Sequence, residues 1–515
     1  MVNFHFILGT FFALFCVDKT ENANILAMTY YSTRSHFNIF EVLLKALAAR
    51  GHQVSVVGCF TQTQPIANYT DISIVESLPN VTNYLEAEFM LRFRFIGTLW
   101  KMYQDLSGNC QKILEHPNLQ KLIKGDQKFD VIITPFMGPE CYLVFPYHFN
   151  APLIGLITSV AHNWWDDGTG NPTNPAYIPN IGTPFTQNMN FWQRLVNTLW
   201  YVATKFGQYF FSEIRMDKLM KEIFGPDIPP LSQLRNYASL VLVNSHFSLN
   251  YPRPAVPAFV EVGGIHIQGG EKLPKELETY LNNAEHGAIL FSFGSIVKGE
   301  VGKDQLQAFI DAFSTLPQRV LWKIDRIPGL PTNVITSKWF PQFAILCHPK
   351  VRAFITHGGM LGTQEAVYCG VPMVGIPLGL DQMYNVRNCV EKGVAVELDY
   401  YSIANETIIA ALNAVINDSS YRSNAKQLSK RFTDRPQSPL DTAIYWTEYV
   451  IRHRGAPHMR TVAVELSWYQ YLLLDVIGVL AAIIILISYI FWCGFISIPK
   501  IIKYLYTRNK KLKFT

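Results

Sequence analysis

From Val476 to Pro499 the chain reads VIGVLAAIIILISYIFWCGFISIP, 24 residues without one charge. A helix of about 20 apolar residues crosses a bilayer core of about 30 Å, whereas helices buried in soluble cores are commonly shorter. Trp468, Tyr469 and Tyr471 stand before this run and Trp492 and Tyr504 near its far end, where interfacial aromatics belong. The run therefore predicts a transmembrane helix over 471–497. It also confines the rest of the chain: some 470 residues must fold on one side of a membrane. The tail 498–515 carries six Lys or Arg (Lys500, Lys503, Arg508, Lys510, Lys511, Lys513) and no acid, which places it in the cytosol.

The amino terminus, FHFILGTFFALFCV, is too short for a second span and has the length of a signal-peptide core. Cleavage within Asp18 to Ala23, giving a signal peptide of 1–23, sends the body into the secretory lumen as a type I, single-pass protein. Acceptable glycosylation sequons at Asn68, Asn80, Asn405 and Asn417 agree with a lumen; Pro172 disqualifies Asn171. Lys511 and Lys513, five and three places from the end, resemble the retrieval signal of endoplasmic reticulum membrane proteins. A formal net charge of +5 over 515 residues gives no reason to expect nucleic acid. Of eight cysteines, Cys16 and Cys493 fall in the signal and the span. The other six show no CxxC spacing, allow one or two disulfides, and do not reveal their pairing.

Strands and helices alternate in two halves of similar size, which implies parallel, doubly wound sheets. The first half, 24–245, opens with a βαβ unit: strand Asn24 to Met28, helix Phe37 to Arg50 closing at Gly51, strand Val54 to Gly58. FDVIITPF (Phe129 to Phe136) and APLIGLIT (Ala151 to Thr158) are further strands. Pro79 to Leu122 and Phe191 to Phe211 are helical and aromatic. A Pro-rich crossing lies in a linker over 246–275. The second half, 276–460, has strands AILFSFGS, RVLWKI, NVITSKW, VRAFITH and PMVGIP. Two such sheets leave a cleft at the carboxyl ends of their strands, where open α/β sheets bind ligands.

One stretch of the second half, FITHGGMLGTQEAVYCGVPMVGIPLGLDQ (Phe354 to Gln382), carries the chemistry. His357-Gly358-Gly359 turns from a strand into a helix. Glycines admit a ligand close to the backbone, and the helix amino terminus offers free N–H groups to a phosphate. Trp339-Phe340-Pro341-Gln342, ending an earlier strand, supplies an aromatic face with an amide beside it. Glu365, two turns into the helix, suits ribose hydroxyls, and Asp381-Gln382 suits a sugar. Base platform, phosphate turn, ribose acid and sugar clamp together fit a nucleotide sugar.

These segments, WFPQ … FITHGGMLGTQEA … GVPMVGIPLGLDQ, resemble the signature of the UDP-glycosyltransferases. With the amino-terminal histidine, the closing RPQSPLDTAIYWTEYVIRHRGAPHMR, the anchor and the basic tail, the likeness extends over nearly the whole chain and points to the membrane-bound animal branch, insect-like. The resemblance implies the GT-B fold, two Rossmann-like domains facing a cleft, and inverting transfer from a UDP-sugar. It implies that Trp339 stacks on uracil and Gln342 contacts uridine. His357 and Gly359 meet the diphosphate, Glu365 the ribose, and Asp381 and Gln382 the sugar hydroxyls. Ser295 is implied as a phosphate contact. Lys323 stands where vertebrate relatives have arginine, and Leu361 where many have asparagine.

His36, at the amino end of the first helix, matches the family's general base. A helix dipole disfavours imidazolium there, and neutral imidazole is the form that accepts a hydroxyl proton. The family places an acid after the FDVII strand, but Pro135 occupies that position; either Glu140 reaches back or His36 works without an acid. With neither Asp-x-Asp nor His/Cys ligand spacing, no metal is expected. The expected partners are a UDP-sugar, with glucose favoured, and a small lipophilic alcohol or phenol held by the aromatic helices; a homo- or hetero-oligomer is compatible with the sequence. Two competing readings remain: glucuronate transfer, with Lys323 or Arg253 as the cation, and a small-molecule carrier on the same scaffold, motivated by Pro135.

Overall fold

The computed structural model describes residues 22–29, 33–75, 109–136, 140–161, 163, 165–270, 272–294 and 302–512. Ser295, Asn80, the signal segment 1–21 and the aromatic stretch 79–108 lie outside these residues. Two compact units are present, 1–460 and 461–515.

Among the described residues of the larger unit, thirteen strands form two parallel sheets. The first contains β1 (Asn24–Thr29), β2 (Gln53–Gly58), β3 (Tyr69–Ser73), β4 (Val131–Pro135), β5 (Leu153–Ile157), β6 (Ala238–Val243) and β7 (Phe259–Glu261), in spatial order β3-β2-β1-β4-β5-β6-β7. The second contains β8 (Ala288–Ser292), β9 (Arg319–Lys323), β10 (Val334–Ser337), β11 (Val351–Thr356), β12 (Met373–Gly375) and β13 (Ala395–Glu397), in order β10-β9-β8-β11-β12-β13. Strand order reverses between β1 and β4 in one sheet and between β8 and β11 in the other. Those are the two switch points at which such sheets present a crevice.

The central strands are apolar throughout because both faces are covered; β4, β5 and β8 are buried at every residue. Helix Arg34–Ala49 buries Phe37, Phe40, Leu43, Leu44 and Leu47 at helical spacing against the first sheet. In the second sheet, Phe291 packs between Phe309 and Trp322, with ring centroids 4.6 and 5.0 Å away. Cys110 pairs with Cys141 and Cys347 with Cys369, which the sequence left unassigned.

Two elements depart from the expected boundaries. Strand β7 lies inside 246–275, the stretch expected to be a linker, because the Pro-rich run ends before the alternating FVE segment pairs with β6. Helix Pro439–Arg452, expected with the second half, packs on the first: Ala443 and Val450 join its core, and Arg50 binds Glu448 at 2.5 and 3.0 Å.

The smaller unit contains helix Leu474–Leu512. Its segment Leu474–Asn509 is long and apolar enough to cross a membrane. It starts after Trp468–Tyr471, a separate short helix, and continues through Pro499 to Leu512, well beyond the expected end at 497.

Candidate active site

At the second switch point, β11 runs into His357-Gly358-Gly359 and helix Met360–Cys369. Gly358 has φ +81°, and a methyl there would lie 2.4 Å from Val386 Cγ2. A methyl on Gly359 would lie 2.5 Å from His357 Nε2. Only glycine permits this turn. The His357 ring is buried against Gly294, which follows the neighbouring strand β8. Burial, then the nearby Lys323 ammonium, pushes its pKa down to about 4, so it is neutral at physiological pH. Its Nδ1 is buried and has no hydrogen-bond partner among the described residues.

Around this turn stand most of the expected donor residues. Trp339, beyond β10, is 66% exposed. The Lys323 ammonium lies 5.0 Å from its ring centroid and donates to Gly294 O at 3.3 Å. Gln342 Nε2 donates to Glu365 Oε2 at 2.7 Å. The other carboxylate oxygen of Glu365 faces His266 Nε2 at 3.6 Å, a partner that no local motif singles out.

Asp381 follows Leu380, which holds φ +56°. The carboxyl of Asp381 is pushed above the ordinary range by burial, while Asn385 pulls it back. Asn385 Nδ2 donates to both Asp381 Oδ2 (3.0 Å) and Gly358 O (2.9 Å), joining Asp381 to the glycine turn. Gln382 Oε1 accepts from the backbone of Leu378 (2.8 Å) and Gly379 (3.3 Å), so one end of this side chain shapes the loop.

At the first switch point His36 lies in the opening turn of helix Arg34–Ala49. Burial pushes its pKa down to about 4. Its Nδ1 is 2.5 Å from Thr158 Oγ1, immediately after β5. Glu140 is committed elsewhere: Arg235 donates to both of its oxygens at 2.8 Å, and Gln208 Nε2 to one of them at 2.6 Å. Arg235 also binds Glu213 at 2.6 Å. Thr158, the last residue of the APLIGLIT segment, was legible only as a strand end. Arg253, considered as a cation for a sugar carboxylate, donates to Asp166 at 2.7 Å.

A buried polar chain joins the two switch points. Asn244 Nδ2 donates to Thr158 O (2.9 Å), and Gln364 Nε2 donates to Asn244 O (3.0 Å). Gln364 Oε1 accepts from Gly264 N at 3.1 Å. The residue beside Gln364 is Glu365. Among the described residues, no three His, Cys, Asp or Glu side chains are grouped to hold a metal ion.

Paired parallel sheets of this order, with a glycine turn at the second switch point, make the GT-B fold. The fold matches a UDP-glucose:anthocyanidin 3-O-glucosyltransferase solved in complex with UDP, with a TM-score of 0.58, 16% identity, and coverage of 84% of this chain and 99% of that one. The chain belongs to the family described as UDP-glucoronosyl and UDP-glucosyl transferase, whose model matches residues 29–508. It is 40% identical over 481 residues to UDP-glucosyltransferase 2 of Dactylopius coccus, covering 90% of this chain and 91% of that protein. It is 33% identical over 472 residues to human UDP-glucuronosyltransferase 1A8, covering 88% of each. The protein is thus a UDP-glycosyltransferase.

Proposed function

We propose that the enzyme transfers a hexose, glucose in first place, from its UDP-sugar to a hydroxyl of a small lipophilic acceptor, with inversion and with His36 as general base. The observation that carries this reading is the neutral imidazole of His36 held at Nδ1 by Thr158. With the Nδ1–H donated to the threonine hydroxyl, Nε2 is the basic ring nitrogen, the one that takes the acceptor proton. The acceptor oxygen forms a bond to the anomeric carbon as the bond from that carbon to the UDP oxygen breaks, and the proton ends on His36.

Charge developing on departing UDP meets the amino end of helix Met360–Cys369 and the ring N–H of His357. Trp339 offers its exposed face to uracil, Gln342 contacts uridine, and Glu365, steadied by Gln342, accepts from the ribose hydroxyls. Asp381 and the amide of Gln382 bind sugar hydroxyls, and Gly359 lets the diphosphate approach. Ser295 and Lys323 complete the donor set. Glucose is preferred to glucuronate because Arg253 is consumed by Asp166 and Lys323 is turned to Gly294 and Trp339. Type I insertion in the endoplasmic reticulum, with the catalytic unit in the lumen, agrees with the apolar carboxyl-terminal helix and the dilysine end.

Transfer by microsomes expressing the chain, with labelled UDP-glucose and UDP-glucuronate offered in parallel against a panel of phenols, tests the proposal. Glucoside formation is the expected result. Glucuronide alone overturns the donor choice, and no product from either with UDP still bound favours a carrier.

A further inference from the structure

Helix Phe191–Gly207 is inside out. Its inward side is polar: Asn197 and Thr204 are buried. Asn197 Nδ2 donates to the carbonyls of Pro175 (2.7 Å) and Ile178 (2.9 Å), and Asn163 Nδ2 to Thr204 Oγ1 (3.2 Å). The π-helical turn Gln208–Glu213 that follows keeps the same sense, burying Gln208 and Glu213 in the ionic cluster around Arg235. The opposite side is apolar and exposed: Trp192, Leu195, Leu199, Val202, Phe206 and Phe210 succeed one another at steps of three and four residues. They form a ridge of about 25 Å along the helix at 1.5 Å per residue. Trp192 is 70% exposed, Leu199 60% and Phe206 59%. Single exposed apolar residues are ordinary, but a continuous ridge marks an interaction surface.

We propose that this ridge lies in the headgroup–acyl boundary of a lipid bilayer, with the helix parallel to the membrane surface. Three observations select lipid. From Phe191 to Ser212 the sequence has Arg194 and Lys205 and no acid, which suits anionic headgroups. Trp192, Phe206 and Phe210 supply much of the ridge's bulk, and tryptophan is enriched at that depth. The globular unit ends at Arg460 and the bilayer-length helix begins at Leu474, so a tether of 13 residues presents a membrane to the body at high effective concentration. A second copy would bring the same two cations against this face, which disfavours self-pairing.

The test uses the full-length chain in nanodiscs containing phosphatidylserine, with benzoylphenylalanine at Leu199, at Phe206 and, as an off-ridge control, at exposed Gln307. After illumination, mass spectrometry should find lipid adducts at both ridge positions at least tenfold above the control, in variants that retain UDP-sugar turnover. An adduct with a second copy, an adduct with another segment of the same chain, or lipid adducts no higher than at Gln307 each overturns the proposal. Val202 substitutes for either ridge position whose variant fails to fold.

Discussion

Thr158→Val removes the hydroxyl facing His36 while keeping the shape of the side chain. Two consequences follow from the geometry. The Nδ1–H loses its acceptor 2.5 Å away, and the tautomer with the proton on Nε2, useless as a base, is no longer disfavoured. A neutral side-chain hydrogen bond contributes about 0.5–1.5 kcal/mol net. At about 1.36 kcal/mol per decade, kcat/KM for the acceptor should fall about 2- to 13-fold. The KM for the UDP-sugar should not change, because Thr158 touches the donor side only through the backbone carbonyl that Asn244 holds. Initial rates measured against both substrates, with valine and serine variants compared, read this directly, and Thr158→Ser should recover most of the loss. A loss beyond about a hundredfold would refute the reasoning, since a neutral hydrogen bond cannot supply it. Unchanged turnover would refute it equally.

His36→Ala should lower transfer about 10²- to 10⁴-fold, the range of a general base, while calorimetry finds UDP binding intact. Because burial lowers the His36 pKa to about 4, the neutral form prevails at pH 7 and is lost only on acidification. The pH profile of kcat/KM should therefore stay level between pH 6 and 8 and fall towards pH 4; a break near 6.5 would contradict the burial. Trp339→Ala should weaken UDP binding by about 1–3 kcal/mol if its exposed ring stacks on the base, read by titration calorimetry. Arg235→Met should destabilise the fold by about 3–5 kcal/mol in a denaturant melt, because it strands the buried carboxylates of Glu140 and Glu213.

That the His357-Gly358-Gly359 turn, Trp339, Glu365 and Asp381 gather at one switch point was legible because a parallel sheet brings its strand ends together, and each motif follows an apolar run. Strands β7 and β13 are three residues each, too short for periodicity to reveal. Spacing showed that 191–211 is an aromatic helix but could not show which side faces inward. That depends on Asn163, Pro175 and Ile178, which reach the helix only through tertiary structure. The partner of His36 was hidden for the same reason. Thr158 and His36 are 122 residues apart and meet because β5 lies beyond β4 in the sheet. Nothing local distinguishes Glu140, committed to Arg235, from an acid free to reach the histidine.

The chain passes between the two halves of the large unit twice, outward after β7 and back before helix Pro439–Arg452, whose Glu448 grips Arg50 and approaches His52. A single crossing would leave one covalent tie between the halves; two crossings leave two, one of which ends on the first half's own core. The same return path forbids a simple dissection. A fragment cut as 276–460 would carry a helix whose apolar face belongs to the other half, and the first half would be left with an uncovered core. Separate production of the two halves therefore requires the last helix to travel with the amino-terminal piece, as a discontinuous or permuted chain.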